Sequence, residues 1–169
     1  MNSKKSQYAI KEIFTRKSCT RLRKIIFYEG ENMRGYNIIV VYNENADKIL
    51  MCKRKKEPYK GLANFVGGKI EKNENGFDAA YRELKEETTI TKDDIMLIHM
   101  MDFTYYLENC YLEVYIGKLN KVIDVKGTEN KLFWSTLDNN FFDETQYAGE
   151  GNIGHIVRHI QTHKGELLK

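Results

Sequence analysis

The chain has 169 residues, of which 41% are hydrophobic and 30% charged, with one proline and twelve glycines. That length fits about one domain with a real core, and the composition excludes collagen-like, low-complexity and disordered classes. The 27 basic and 24 acidic side chains leave a net of +3, unevenly spread: residues 1–24 hold eight basic residues against Glu12 alone, a net of +7, and the remainder sums to −4. No apolar run approaches the roughly 18–20 residues of a membrane span. The basic N-terminus has no apolar region after it of the kind a secretory signal needs. Cys19, Cys52 and Cys110 are odd in number and far apart, a pattern expected of reduced thiols in a cytoplasmic protein.

Residues 1–32 read as a basic extension and 33–169 as a single domain. Residues 36–42 form an apolar, strand-like run that a polar turn at 43–47 breaks. Residues 48–54 follow as a hairpin partner, with Ile49 and Met51 alternating against Leu50 and Cys52. Residues 55–64, with Pro58 and Gly61, read as a loop. Over 76–88 the period becomes helical, and Phe77, Ala80, Tyr81 and Leu84 predict one buried face. Two long strand-rich stretches follow at 95–107 and 110–119, and a shorter one at 132–135. A last helix runs from Asn152 to about Leu167, with Ile153, Ile156, Val157 and Ile160 on one side. Strands and helices alternate irregularly with hairpins between them, which predicts an α/β domain with a mixed sheet.

Chemistry concentrates on the first helix. At about 100° per residue, Glu83, Glu86 and Glu87 share one stripe roughly 100° wide, turned away from the apolar face. Glu83 repels both others, each pair costing about 0.2–0.5 kcal/mol. Of the three, only Glu86 has a basic residue at helical spacing, in Arg82. Close carboxylates of this kind suit a hard divalent cation, although a solvated acidic face has the same pattern. Upstream, Gly67-Gly68-Lys69 lets backbone approach a ligand and offers a lysine to phosphate, or forms a plain turn.

Together these residues resemble the Nudix hydrolase signature, G-x5-E-x7-R-E-U-x-E-E-x-G-U with U aliphatic. Gly68, Glu74, Arg82, Glu83, Leu84, Glu86, Glu87 and Ile90 all fall in register, and the one departure is Thr89 where the signature has glycine. That glycine usually ends the helix in the left-handed conformation, which a β-branched residue resists. The resemblance implies a Nudix-type α/β/α sandwich and Mg²⁺-dependent hydrolysis (Mn²⁺ the alternative) of a nucleoside diphosphate linked to another group. It implies metal ligation by Glu83, Glu86, Glu87 and the Gly68 carbonyl, with Glu83 often the base. It also implies an Arg82–Glu74 pair orienting Glu83, and phosphate contact by Lys69.

Outside this box, the run from Asn64 to Lys69 is similar to the Asn-x-x-Gly-Gly-Lys of MutT-type enzymes, with Ala63 where tryptophan often stands. Asn64 would then read a base edge. Asn152, after Gly151, matches a purine-reading asparagine, and Glu129 a distal glutamate that supplements the metal site or acts as base. Each has a plainer alternative: Asn64 as a turn residue, Asn152 as an N-cap, and Glu129 as surface charge. Lys53, Arg54, Lys55 and Lys56 offer charge to a triphosphate, or end a strand in solvent. Tyr105 and Tyr106 stand where dinucleoside polyphosphate hydrolases tend to carry a tyrosine, or simply pack a strand. His155, His159 and His163 recur every four residues and read as an exposed or interface face.

The leading expectation is a MutT-like pyrophosphohydrolase that converts a modified purine nucleoside triphosphate to monophosphate and pyrophosphate. A dinucleoside polyphosphate or nucleotide-sugar hydrolase is the alternative within the class. A non-catalytic Nudix-fold sensor or RNA-binding regulator is the alternative outside it. The expected partner is a small nucleotide and not a membrane, with nucleic-acid binding by the basic arm less favoured.

Overall fold

Alternation over the first hairpin commits both of its faces to burial, and this determines the layering. In the computed structural model, which describes residues 33–168, β1 (Arg34–Tyr42) and β2 (Lys48–Lys53) are antiparallel and joined by a tight turn. Asn43 Oδ1 accepts the backbone N–H groups of Asp47 and Lys48, both at 3.0 Å, and so closes that turn. The basic arm, its boundary with the domain and Cys19 lie outside the described residues.

β1 and β2 pair at Tyr42–Ile49, and the segment that follows the hairpin runs between them further along. In that segment β3 (Ala63–Asn64) pairs with Cys52 and Lys53 of β2, while Val66 and Lys69 bridge to Ile39 and Tyr36 of β1. The 55–64 stretch is therefore not wholly loop, because its last two residues complete the ladder of β2. β4 (Ile98–Tyr105) and β5 (Cys110–Lys118) form an antiparallel hairpin with a bulge between His99 and Met101. β5 runs parallel to β1 from Arg34–Cys110 to Tyr42–Lys118, and β6 (Lys131–Thr136) pairs antiparallel with β2. The sheet of six strands is mixed, as expected.

Each face carries one helix. Ile49 and Met51 lie with Val40, Val114 and Ile116 under α2 (Asn152–Leu167), which contributes Ile153, Ile156, Val157 and Ile160. Leu50, Cys52, Ile39 and Val41 lie under α1 (Gly76–Thr88), which contributes Ala80, Tyr81 and Leu84. Each fully buried aliphatic side chain contributes about 1.5–3 kcal/mol relative to exposure, so both helices are held by the sheet rather than by propensity.

Three local expectations change. Phe77 is 42% exposed, because it stands in the first turn of α1 with its ring edge-on to Tyr81 at the rim, and Ala79 and Thr88 join the buried face instead. The 95–107 stretch becomes a strand only at Ile98, after Ile95 has bridged to Leu119, and ends at Tyr105. Tyr106 and Leu107 are exposed in the hairpin turn. Thr89 adopts the left-handed conformation itself, with φ 68°, and its N–H still caps Lys85 O. The helix thus ends where a glycine would end it, at the conformational cost a β-branched residue brings.

Candidate active site

α1 begins at Asn75, whose Oδ1 accepts the N–H of Asp78 at 2.9 Å as an N-cap. Its start is tied to the sheet by Asn37, a buried amide inside the apolar run of β1. Asn37 Nδ2 donates to Gly76 O (3.1 Å), and the Asn37 backbone N–H donates to Gly68 O (2.7 Å). One strand residue therefore fixes both the helix and the glycine turn. A polar residue in an otherwise apolar strand was the available signal, and the pattern reading passed over it.

Both glycines of the turn are required by close approach. Gly67 has φ 136° and lies against Asn37 O, so a side chain there has neither the backbone conformation nor the space. Gly68 lies directly under the carboxylate of Glu83. Glu87 reaches the same turn, since its Oε2 accepts the Gly67 N–H at 3.1 Å. Glu83 and Glu87 thus come together over Gly67–Gly68, while Glu86 points outward with its side chain 60% exposed.

Arg82 organises this end of the helix. Its Nε and Nη2 donate to the two oxygens of Glu74 (2.9 and 2.8 Å), a bidentate pair. Nη1 donates to Glu83 Oε1 (2.7 Å) and more weakly to Glu86 Oε2 (3.4 Å), and Nη2 also meets Lys69 O (3.0 Å). Glu83 therefore does have a local counter-charge, from its chain neighbour, which helical spacing rules ignore. Hydrogen bonding to Glu74 and then Glu83 raises the Arg82 pKa, so its charge is permanent.

Burial raises the Glu87 pKa, and the nearby charges of Glu83 and Glu129 add to this, against the lowering effects of Gly67 N–H and Asn130. Glu129 itself pairs with Lys56, which holds its carboxyl below the usual range. Beside it, Asn130 Oδ1 accepts the Lys55 N–H (3.1 Å), and Thr128 Oγ1 donates to Glu86 O (2.8 Å). The 128–130 segment therefore lies along the C-terminal half of α1, next to Glu87. Asn130 and Thr128 were not foreseen, and nothing in local sequence marks them.

Among the described residues no three His, Cys, Asp or Glu side chains form a ready cation site. Glu86 is drawn outward to Arg82, and Glu87 is turned to Gly67 N–H. The donor set nevertheless fits a hard divalent ion: the carboxylates of Glu83 and Glu87 both approach the Gly67–Gly68 turn, and each raises the local negative charge. Gly68 O is engaged by Asn37 N–H, which leaves it one further lone pair.

A NUDIX domain family profile matches residues 32–145. The chain belongs to the Nudix hydrolase family. Its members are pyrophosphohydrolases, acid anhydride hydrolases that generally use divalent metal ions, and this Nudix protein is an enzyme of that class. No curated protein sequence matches the chain. In fold it is similar to an Ap4A hydrolase of C. elegans, with a TM-score of 0.63 and 20% identity over 77% of this chain and 98% of the other. It is similar to MutT of Aliivibrio salmonicida or Vibrio cholerae, with a TM-score of 0.57 and 20% identity over 76% and 97%. It is also similar to the E. coli dihydroneopterin triphosphate pyrophosphohydrolase, with a TM-score of 0.57 and 20% identity over 74% and 95%.

The remaining expected site residues of the Nudix protein are more scattered. Lys69 is exposed, with its Nζ 3.9 Å from Glu71 Oε2. Asn64 Oδ1 accepts the Phe65 N–H (2.9 Å), a turn-like local bond. Arg54 Nε donates to Pro58 O (2.7 Å) and orders the following loop. Asn152 is not an N-cap: Gly151 holds that place, and Asn152 Nδ2 donates to the hydroxyl of Tyr105. Tyr105 is thus more than strand packing. His155, His159 and His163 are on the outer side of α2, where His155 meets Phe142 edge-on and the rings of His159 and His163 lie 4.5 Å apart. No helix among the described residues is long and apolar enough to cross a membrane.

Proposed function

We propose that this Nudix protein is a Mg²⁺-dependent, MutT-like pyrophosphohydrolase, acting in the cytoplasm on a purine nucleoside triphosphate, including modified purines, to give the monophosphate and pyrophosphate. The observation that carries the reading is the meeting of Glu83 and Glu87 over the Gly67–Gly68 turn, with Glu83 held by an Arg82 that Glu74 clamps in a bidentate pair. Glu83, Glu87 and, on turning in from its contact with Arg82, Glu86 would hold the cation, with the second lone pair of Gly68 O. When bound, the cation lowers the pKa of water and offsets phosphate charge. Glu83, oriented by Arg82 Nη1, takes the proton of the attacking water, and Glu129, whose charge acts on Glu87, supplements the site. Lys56 and Lys69 supply charge to the phosphates. Asn152, positioned by Tyr105, meets the base.

The Asn152–Tyr105 contact also supports a second reading, hydrolysis of a dinucleoside polyphosphate, since a tyrosine near that position is a feature of those enzymes. A panel of nucleoside triphosphates and dinucleoside polyphosphates with Mg²⁺, wild type beside Glu83→Gln, separates the two. Release of pyrophosphate from a triphosphate, lost by at least about 100-fold in Glu83→Gln, is expected. Turnover equal in the two proteins, or none with any nucleotide, would overturn the proposal.

A further inference from the structure

His155, His159 and His163 recur at every fourth position of α2, but the fold treats them differently. His155 is engaged by Phe142, whose ring it meets edge-on at 5.1 Å. His159 and His163 instead meet each other, with ring centroids 4.5 Å apart and planes inclined at 44°. The backbone departs from helical dihedrals at His163 (φ −116°, ψ 16°), and the ring of this residue lies back over the preceding turn. There His163 Nδ1 donates to the backbone oxygen of His159 at 3.0 Å.

That bond decides what the ring can do. A carbonyl oxygen only accepts, so Nδ1 carries the proton, and the lone pair of the neutral imidazole lies on Nε2. Metal-ligating histidines are held in this way, one nitrogen donating to a carbonyl or carboxylate that fixes the tautomer and the ring plane. Among the described residues, neither nitrogen of His159 has a hydrogen-bond partner, so its ring keeps a lone pair for a ligand. The nearest cation in sequence, Lys164, is turned elsewhere: its Nζ donates to Ala46 O at 2.6 Å and lies 5.7 Å from the ring centre of Tyr42. Arg158 lies about 100° round the helix from His159. Glu166, three residues beyond His163, adds a carboxylate to the same stretch. No third His, Cys, Asp or Glu completes a cluster among the described residues, so the pair stands as a two-ligand arrangement.

We propose that His159 and His163 form a bidentate site for a borderline divalent transition-metal cation, Zn²⁺ or Ni²⁺, with water completing the coordination. Residues four apart lie one above the other on a helix face, the spacing at which two imidazoles reach one ion. Imidazole nitrogens suit these ions, whereas the carboxylate oxygens of Glu83 and Glu87 suit Mg²⁺, so the two sites differ in chemistry. They also differ in place. α2 covers the sheet face opposite α1, and His163 stands about three turns beyond Asn152. A bound ion would tie the turn before the bend to the turn after it and so staple the C-terminal end of α2.

The test is calorimetric titration of the full chain with Ni²⁺ at about pH 7.5, where ligands are deprotonated, with Mg²⁺ in large excess to hold the carboxylates. One Ni²⁺ per chain is expected. His159→Gln and His163→Gln should each weaken it at least about tenfold, because each removes one arm of a chelate. His155→Gln, on the same stripe but outside the pair, should leave the affinity within about twofold. Circular-dichroism melting checks that each variant is folded. In the wild type, substoichiometric Ni²⁺ should broaden the imidazole proton resonances of His159 and His163 before those of His99, which needs no variant at all. No binding by the wild type, unchanged affinity in His159→Gln and His163→Gln, an equal loss in His155→Gln, or equal broadening of His99 would each overturn the assignment.

Discussion

The carboxylate of Glu83 occupies the space that a side chain on residue 68 would fill, and both its oxygens lie against Gly68. Glu83 has no freedom to withdraw, because Arg82 Nη1 holds it at 2.7 Å and Arg82 is itself locked to Glu74. The glycine of the turn and the glutamate of the helix are thus one steric unit.

Gly68→Ala follows from this contact. Gly68 does not have a positive φ, so alanine meets no backbone strain and the methyl group acts only on Glu83. Hydrolysis is expected to fall at least about 100-fold, since a misplacement on the order of 1 Å has that effect on a positioned group. The melting temperature should move by less than about 4 °C, corresponding to under about 1 kcal/mol. Steady-state kinetics beside a thermal melt gives both numbers, and an alanine variant with wild-type rates would refute the steric coupling.

Arg82→Lys tests the clamp. Lysine keeps the charge but cannot make the two parallel bonds to Glu74 while also holding Glu83. The expected loss is in kcat by about 10- to 100-fold, because Glu83 loses its orientation and the substrate contacts are left in place. A change confined to KM would argue that Arg82 contacts substrate instead.

Thr89→Gly should stabilise the fold. Thr89 sits at φ 68°, and release of that strain is worth about 1–2 kcal/mol, partly offset by glycine's greater freedom when unfolded. A net gain of about 0.5–1 kcal/mol in urea unfolding is expected, with the slope unchanged. Reduced stability would mean that the threonine side chain makes a compensating contact.

Asp94 predicts an acid-side dependence. Its carboxylate is paired with Lys121 Nζ (2.7 Å) and accepts from Thr91 N–H and Oγ, and these bonds lower its pKa from 3.8 to about 2. A folded pKa below the unfolded one adds stability above the unfolded value, and that stability is lost as pH falls toward the folded value. The gap in melting temperature between wild type and Asp94→Asn should therefore be constant from pH 7 to about 5, narrow below about 4 and close near 2. A gap that persisted at pH 2 would show that the effect is not ionic.

Much of the domain was legible in sequence because periodicity and burial agree. Both helices begin and end where the 3.6-residue pattern puts them, at Gly76–Thr88 and Asn152–Leu167. The even and odd residues of β2 go to the two cores that alternation assigns them. Phe77 failed because periodicity gives a direction and not a depth: the first turn of α1 reaches the rim, where an aromatic ring stays partly wet. Asn64 and Ala63 failed as loop because a two-residue strand has no period to detect and exists only by pairing with Cys52 and Lys53.

The candidate site divides the same way. The carboxylate stripe, the Arg82–Glu74 spacing and the glycine pair can be read from local sequence, because all lie within one turn-and-helix segment whose geometry the chain nearly fixes. What that stripe faces depends on contacts made across the fold. Asn37 brings the glycine turn to the helix, and the 128–130 segment closes beside Glu87. Tyr59, Tyr105, Glu150 and Asn152 gather from three distant parts of the chain. Contacts between residues tens of positions apart depend on how strands are ordered and crossed over in the sheet. That order is set by the sum of core packing and not by any pattern local to the residues that meet.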